Sequence, residues 1–279
     1  MAYKTILVHL DQKERALSRI RIAANLAKAE EGCLVGTAMI GISTLTFREA
    51  HISERDPALA AHLKFLTERA EGVVADFVQE AQAMGVLSYE GRVVDDEAGY
   101  GISMQARYSD LVVIGQTDVN AKSSIVPPDF PEFALVHTGR PVLLVPHNYQ
   151  KETAGSKVLI AWNASREVRR AVTDAIPFLK RAEVVDVVMF NAETEPDMRD
   201  ESSATDLAIY LARHDVNVNI LQKQEAKNVG QAMLDVAAKQ GSDLLVLGAY
   251  GQTRFRQFLL GGVTRTILSE SPLPVLMSH

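Results

Sequence analysis

The stretch "SDLLVLGAYGQTRFRQFLLGGVTRTIL", from Ser242 to Leu268, decides the fold. It begins with the apolar run Leu244–Leu247, crosses a loop with four glycines and ends in residues with helical periodicity. A short apolar run bounded by glycine is typical of a buried β-strand, and a strand followed by a helix is the unit of α/β proteins. Because ligands of such proteins bind beyond the carboxyl ends of the strands, we expect a site at this loop.

The same pattern occurs twice in the chain. The sequence "SDLVVIGQ", Ser109–Gln116, precedes its counterpart "SDLLVLGA" by 133 residues. The sequence "YKTILVHLD" near the start precedes "SKVLIAWNAS", Ser156–Ser165, by 152 residues when Asp11 is aligned with Asn163. The first half therefore holds about 19 extra residues. We expect much of this insertion in Arg48–Ala61, a charged stretch with a proline that should form a surface excursion.

Apolar strand candidates alternate with amphipathic helical stretches in both halves, which predicts a mainly parallel sheet covered by helices on both faces. The predicted fold is α/β, with two tandem doubly wound, Rossmann-like domains of five strands each. The polar stretch His147–Ser156 separates them, giving domains at residues 1–149 and 150–279. In the helical stretch after Trp162, Pro177 should end or kink the helix. The predicted strands are Thr5–Leu10, Leu34–Ile40, Ser88–Val94, Leu111–Ile114, Val142–Val145, Val158–Trp162, Val184–Phe190, Val216–Leu221, Leu244–Leu247 and Val275–Met277.

Composition argues against several classes of function. A formal net charge of −6 and a pI near 5.7 disfavour general nucleic-acid binding, which depends on Lys and Arg at phosphates. Cys33 is the single cysteine, so neither an intrachain disulfide nor a cysteine zinc cluster is expected. The N-terminal stretch lacks the features of a signal peptide or membrane span, and we expect a cytoplasmic protein without membrane contact. The seven histidines show no ligand spacing, so no metal site is predicted.

Glycine and arginine give the loop after Leu247 the chemistry of a phosphate site. Glycine lets a ligand approach the backbone, and a helix N-terminus offers unpaired N–H groups and a partial positive charge. The window Gly248–Leu268 carries three arginines and no acidic residue, a local charge of +3. A structural explanation stays open, because Gly248 could simply end a strand, and Gly261 with Gly262 could form a turn.

The glycine spacing resembles that of the universal stress protein family, whose nucleotide-binding members have glycines separated by two and by nine residues, followed by Ser or Thr. Gly248, Gly251 and Gly261 match this pattern, whereas Gly262 stands where the family has a hydroxyl. The resemblance covers both halves and is most specific in the second. It implies an adenine nucleotide alpha hydrolase-like fold and a stress-response regulator that binds an adenine nucleotide, ATP, with or without magnesium. Loss of one hydroxyl donor predicts weakened rather than abolished binding.

The resemblance also implies which residues contact the base and the ribose. An acidic residue ends the first strand in the family, and Asn163 takes that place here; its alternative role is that of a turn residue before the next helix. Trp162 could flank the adenine or simply pack, and Val188 with Met189 could line the pocket. No catalytic residue is predicted, and ATP hydrolysis would be slow at most. The predicted nucleotide site comprises Trp162, Asn163, Val188, Met189, Gly248, Gly251, Arg254, Gly261, Gly262, Val263 and Thr264.

The first half looks like a degenerate copy of this site. The same count from Gly115 reaches Asp118 and Pro128 instead of glycines, and the equivalent window, Gly115–Leu135, has a net charge of −2. Asp11 keeps the acidic residue after the first strand. The sequence therefore predicts one nucleotide per chain, held by the second half. The first half either binds another small molecule or serves only in packing.

The last strand of each half bears on how the two domains assemble. The family resemblance implies that the two domains pair within the chain through their last strands, Val142–Val145 and Val275–Met277, and it is compatible with a homodimer of whole chains. The alternative function is a nucleotide-free protein-interaction module of the same fold, which Gly262 and Asn163 favour because both depart from the family pattern.

Overall fold

The computed structural model describes residues 2–43, 57–117, 126–190, 202–223, 228–250 and 262–279. Helices and strands alternate in two compact units, Tyr3–Arg140 and Pro141–His279, the second of which also includes Ala2. Each unit contains a mainly parallel sheet with helical connections, so the predicted doubly wound α/β fold is confirmed. Among the described residues, no helix combines the length and the apolar character that a membrane crossing requires.

The sheet of the first unit has the strand order β3-β2-β1-β4, and all of its pairs are parallel. From β1 the chain moves outward to β2 and β3 and then returns to β4 on the other side of β1. The winding direction therefore reverses between β1 and β4, which makes the carboxyl ends of these strands the expected ligand position. The elements are β1 (Thr5–Leu10), α1 (Lys13–Glu30), β2 (Cys33–Met39), α2 (Pro57–Ala83), β3 (Tyr89–Val94), α3 (Ala98–Gln105), β4 (Leu111–Gly115) and α4 (Phe130–His137).

Helices cover both faces of this sheet. Gly36 of β2 lies under Phe77 of α2, and a Cβ added to Gly36 would be 2.6 Å from the Phe77 ring. His9 of β1 points to the opposite face, where its ring lies 4.5 Å from that of Phe130 in α4. Neighbouring residues of a strand alternate between faces, so α2 and α4 pack on opposite sides of the sheet.

The sheet of the second unit has the order β5-β10-β9-β6-β7-β8. Among the strands that the structure describes in this unit, β5 and β10 pair antiparallel and the other pairs are parallel. By the same argument as in the first unit, the winding direction reverses between β6 and β9. The elements are β5 (Val142–Val145), β6 (Lys157–Ala161), α5 (Arg166–Leu179), β7 (Val184–Phe190), α6 (Ser202–Ala212), β8 (Asn219–Lys223), α7 (Val229–Gln240), β9 (Leu244–Gly248), α8 (Gly262–Glu270) and β10 (Val275–Ser278).

The two strands that end the sequence repeats pair with each other. Leu276 of β10 lies opposite Leu143 of β5, in the contact expected from the sequence. Because β5 joins this sheet, the division between the compact units falls between Arg140 and Pro141. The domain boundary at 149/150 stays a prediction. Pairing of the two whole domains stays a prediction.

The aspartate of each "SDL" sequence anchors the first parallel strand of its unit. The Asp110 carboxylate accepts the backbone N–H groups of Lys4 at 2.8 Å and Thr5 at 2.9 Å. The Asp243 carboxylate accepts three consecutive N–H groups, those of residues 155–157, at 2.8 to 3.2 Å. The repeat in sequence thus corresponds to a repeated set of hydrogen bonds at the start of β1 and of β6.

Strand β8 begins later than expected. The sequence predicted a strand from Val216, but Val216 belongs to the turn that follows α6. Its N–H donates to the Leu211 carbonyl at 3.0 Å, after Asp215 with a left-handed φ of 62°. An apolar residue after a left-handed position is typical of the segment that closes a helix C-terminus. Val216 has this place, and the strand starts at Asn219. The other predicted strands agree with the structure to within one residue at each end.

Two further local expectations need correction. Pro177 does not end its helix, because α5 continues to Leu179 and the Lys180 N–H still donates to the Ile176 carbonyl at 3.0 Å. The proline lies in the last turn, where little of the helix ladder follows it. In the expected excursion Arg48–Ala61, residues 57–61 form the start of α2, and residues 48–56 lie outside the described residues.

Candidate functional site

Gly248, the last residue of β9, packs directly against the first turn of α5. A Cβ at this position would collide with the backbone N of Val168 and would lie 2.6 Å from the carbonyl carbon of Glu167. Only glycine permits this approach of a strand end to a helix start. The structural explanation of Gly248 that the sequence left open is therefore supported, whatever ligand the site takes.

The turn between β6 and α5 uses both of its polar side chains. Asn163 Oδ1 accepts from the Ser165 N–H at 3.2 Å, around Ala164 with a φ of 56°. Ser165 Oγ in turn accepts from the Val168 N–H at 3.3 Å and caps the helix. The turn role expected as one alternative for Asn163 is therefore present. The Asn163 side chain is also exposed, so its amide N–H groups remain accessible to a ligand.

Trp162, Val188 and Met189 meet at the carboxyl ends of β6 and β7. The Trp162 N–H donates to the Val188 carbonyl at 2.9 Å. Trp162 is only 8% exposed, and the side chains of Val188 and Met189 are fully buried. All three belong to the core, so a base at this edge would contact their backbone or require their side chains to move.

The far end of the glycine loop is tied to its beginning. Gly262 is exposed and starts α8, Val263 is half-buried, and the buried Thr264 accepts from the Tyr250 N–H at 3.5 Å through Oγ1. Tyr250 has a left-handed φ of 54° and follows Gly248 by two residues. The chain thus leaves β9 and enters α8 at neighbouring points. The predicted residues Gly251, Arg254 and Gly261, and Asp118 of the first half, lie outside the described residues.

Glu167 is a residue of this region that the sequence did not reveal. Its side chain is 3% exposed and lies in the first turn of α5 beside Gly248, with Oε1 2.6 Å from Arg166 Nε. Burial raises the pKa of this carboxyl, but the hydrogen bond from Arg166 and further hydrogen bonds outweigh that effect, so its pKa is lowered. Its one sequence signal is an acidic residue in the first turn of a helix, where the helix dipole favours it.

The end of β10 also contacts the start of the loop, which the sequence did not predict. The Ala249 N–H donates to the Ser278 carbonyl at 2.9 Å, and His279 Nδ1 lies 3.1 Å from the Ala249 carbonyl. The centroids of the His279 and Tyr250 rings lie 6.0 Å apart, and the two rings are nearly perpendicular. These contacts fix the first residues after β9.

The equivalent place in the first unit is filled by Arg19 of α1. Arg19 Nε donates to the His9 carbonyl at 2.7 Å, and Nη2 forms an ion pair with Asp11. A Cβ added to Gly115 would collide with Arg19 Nη1. The guanidinium therefore occupies the space between the ends of β1 and β4.

The charges around Arg19 shift the pKa values of its neighbours. Burial raises the pKa of Asp11, but the Arg19 charge, the nearby His9 and the Gln12 N–H at 2.5 Å together hold it below its usual range. Burial lowers the pKa of His9 to about 4, against an opposing effect of Asp11, so its imidazole is neutral at pH 7. Within the described ranges, no group of three or more His, Cys, Asp or Glu side chains could hold a metal ion.

Comparison with known proteins identifies relatives of the chain by sequence. Residues 156–279 match the family model described as Universal stress protein family. A universal stress protein of Methanocaldococcus jannaschii is 32% identical over 47 residues, which are 17% of this chain and 29% of that protein. The chain thus spans less than a third of the length of this curated relative.

Solved structures match the whole chain at the level of fold. A universal stress protein from Archaeoglobus fulgidus superposes with a TM-score of 0.74 and 15% identity, over 100% of this chain and 99% of that one. A protein of unknown function from Pseudomonas aeruginosa gives a TM-score of 0.62 and 19% identity, over 99% and 92% of the two chains. Both halves therefore share the fold of these structures.

Proposed function

We propose that the chain is a member of the universal stress protein family, whose model matches residues 156–279, and that it is a stress-response regulator whose second half binds an adenine nucleotide, ATP. The observation that carries the proposal is the position of Gly248, which ends β9 where the winding direction of the sheet reverses. Doubly wound sheets bind their ligands at this point. The family glycine spacing begins at the same residue.

Charge around the loop supports binding of phosphates. The window Gly248–Leu268 has a charge of +3, and α8 begins at the exposed Gly262, where the first N–H groups of a helix have no partner within the helix itself. The buried carboxylate of Glu167 opposes a bare triphosphate beside Gly248. A divalent cation would offset that repulsion, so we propose that ATP binds more tightly with magnesium than without it.

The proposed position of the nucleotide follows the strand ends. Phosphates would lie over the glycines of the loop, at Gly248, Gly251, Gly261 and Gly262, with Arg254, Val263 and Thr264 beside them. The adenosine would lie toward Asn163, whose exposed amide can both donate and accept hydrogen bonds. Trp162, Val188 and Met189 would support the base from the core.

An aspartate at Gly261 tests the phosphate assignment. Gly261→Asp adds a side chain and a negative charge where the phosphates should lie, so ATP should no longer raise the melting temperature of the second unit. Pro128→Asp is the matched control, because Pro128 lies 133 residues earlier at the equivalent place of the first half. It should leave the effect of ATP unchanged. Equal stabilisation of the parent and Gly261→Asp by ATP with magnesium would contradict the proposal.

The second candidate function is a nucleotide-free interaction module. Asn163 favours it, since its side-chain oxygen is engaged by Ser165, and Gly262 favours it because it lacks the hydroxyl typical of the family. Neither ATP nor ADP at millimolar concentration would then change the melting temperature. The cytoplasmic location, the pairing of the two domains and the absence of a catalytic role are parts of the main proposal.

A further inference from the structure

The helix after the first strand carries different residues at equivalent places in the two halves. The offset that aligns Asp11 with Asn163 aligns Arg19 of α1 with Ala171 of α5. Both residues are buried, Arg19 to 2% and Ala171 to 0% exposure. The apolar residues around them are buried in both helices as well, so the alignment holds for the packed face and not only for the sequence. One half therefore has a guanidinium where the other has a methyl group.

In each sheet the two central strands separate at equivalent places, and we call the gap beyond their last pair the fork. Pairing of β1 with β4 ends at Val8 and Val113, and pairing of β6 with β9 ends at the equivalent Ile160 and Val246. Beyond these pairs the two central strands no longer pair with each other. The His9 carbonyl of β1 can therefore accept a hydrogen bond from a side-chain donor. The forks lie where the winding directions reverse, which is the ligand position of doubly wound sheets.

Arg19 fills the fork of the first unit and satisfies its polar groups. Each nitrogen of the Arg19 guanidinium contacts a different residue. Nε donates to the His9 carbonyl at 2.7 Å, Nη2 pairs with Asp11, and Nη1 lies against Gly115. A planar guanidinium suits this arrangement because its N–H donors point in fixed directions within one plane. In the second unit the residue equivalent to Arg19 is Ala171, and the neutral Asn163 stands in place of Asp11, so no internal cation is needed there.

We infer that the Arg19 side chain occupies the ligand position of the first half. It excludes nucleotides from that half, and the fork it occupies is a binding site for a guanidinium group. The residue that a family ligand would contact, Asp11, is instead paired with a cation of the same chain. The closure to nucleotides rests on the proposed function of the second half. The guanidinium site does not, because it follows from the contacts of Arg19 alone.

Removal of Arg19 tests the guanidinium site without any nucleotide. Arg19→Ala leaves the Asp11 carboxylate, whose side chain is 20% exposed, without its partner, and the melting temperature should fall by roughly 6–15 °C. Methylguanidinium at about 20 mM, far below denaturing concentrations, should recover part of this loss and should not stabilise the parent protein. Arg21→Ala is the control, because Arg21 lies on the same helix and pairs with Glu80 at a half-exposed position. It should show neither the large loss nor the recovery.

A second variant keeps the test decisive if Arg19→Ala does not fold. Arg19→Ala combined with Asp11→Asn removes both charges, so it should fold, and methylguanidinium should not stabilise it. Recovery of folding by methylguanidinium in Arg19→Ala alone supports the inference. An Arg19→Ala protein that is as stable as Arg21→Ala, or that methylguanidinium does not stabilise, overturns it.

The reverse exchange tests the closure to nucleotides. Ala171→Arg combined with Asn163→Asp places the first-half pair in the second half and should abolish stabilisation by ATP, whereas Ala171→Leu with the same Asn163→Asp change should retain most of it. Retained ATP binding in the arginine variant overturns the closure. If ATP does not bind the parent, the proposed function fails, and the methylguanidinium result still decides whether Arg19 occupies a cation site.

Discussion

At the scale of residues, equivalent glycines have different neighbours in the two halves. Gly248 touches the backbone of the first turn of α5, whereas Gly115 lies against the guanidinium of Arg19. The backbone contact positions the helix N-terminus beside the loop, and the guanidinium contact occupies the same region with a side chain. A repeated sequence feature thus has two physical functions, set by one residue of the facing helix.

The contact of Gly248 predicts a large effect of one methyl group. Gly248→Ala should destabilise the second unit by about 1–3 kcal/mol, because the backbone of α5 must move to admit the side chain. Gly262→Ala is the control, since a Cβ there meets nothing within 4 Å and its φ is not positive. Urea denaturation measures both. Equal stability of the two variants would show that β9 and α5 do not meet as described.

Buried His9 predicts a dependence of stability on pH. Its pKa is lowered from 6.5 to about 4, so between these values the unfolded chain binds more protons than the folded one. The stabilisation is fully present above pH 6.5 and is lost as the pH falls toward 4, and it amounts to about 3 kcal/mol. His9→Gln should flatten the pH profile of unfolding in this window, whereas the exposed His62→Gln should not. Identical profiles for the parent and His9→Gln would refute the assignment.

The sequence revealed only some residues of the two sites. Gly248 and Asp11 could be located because strand ends and glycine spacing are visible in one dimension. Arg19 could not, since an arginine on an amphipathic helix normally lies on the solvated face, and only the fold shows that it points into the fork. Glu167 was missed for the same reason, because a charged residue in a first helical turn is usually exposed.

At the scale of elements, the strands were predicted well where apolar runs are bounded by turns. The repeat offset matched the strands of one half with those of the other, and mainly parallel pairing followed from the alternation with helices. The prediction was wrong at Val216, where an apolar residue belongs to a helix C-terminus, and at Pro177, which α5 tolerates in its last turn. Both errors concern helix ends, where packing rather than periodicity decides the boundary.

The aspartate anchors predict which element depends most on one side chain. Asp243→Ala leaves the N–H groups at the start of β6 without their acceptor and should destabilise the chain by about 2–4 kcal/mol. Asp235→Ala removes the same charge from an exposed site on α7 and should cost less than about 0.5 kcal/mol. Guanidinium chloride denaturation compares them. A similar loss for both variants would argue against the anchor.

At the scale of the whole molecule, the chain consists of two units of one fold, and the repeat in sequence predicted both. Chain order placed the domain boundary at 149/150 and so assigned Val142–Val145 to the first domain, whereas this strand pairs with β10 of the second unit. The pairing of the two last strands was expected from the family resemblance. Chain order does not indicate which compact unit such a strand joins, so the start of the second unit at Pro141 came from the structure.

This division predicts the behaviour of fragments. Residues 141–279 include β5, whose four side chains are buried, and residues 150–279 lack it. The longer fragment should have the higher melting temperature, because the shorter one exposes the apolar edge of β10. Thermal unfolding followed by circular dichroism makes the comparison. Equal stability of the fragments would mean that β5 contributes nothing to the second unit.

The stoichiometry of ATP binding tests the central claim most directly. Calorimetric titration of the full chain with ATP and magnesium should give one site per chain, because the second half has the glycines and a local charge of +3, whereas Arg19 fills the fork of the first half, where the equivalent window has a charge of −2. The same titration of Gly261→Asp should give no measurable heat of binding. Two equivalent sites per chain, or one site that survives Gly261→Asp, would contradict the account.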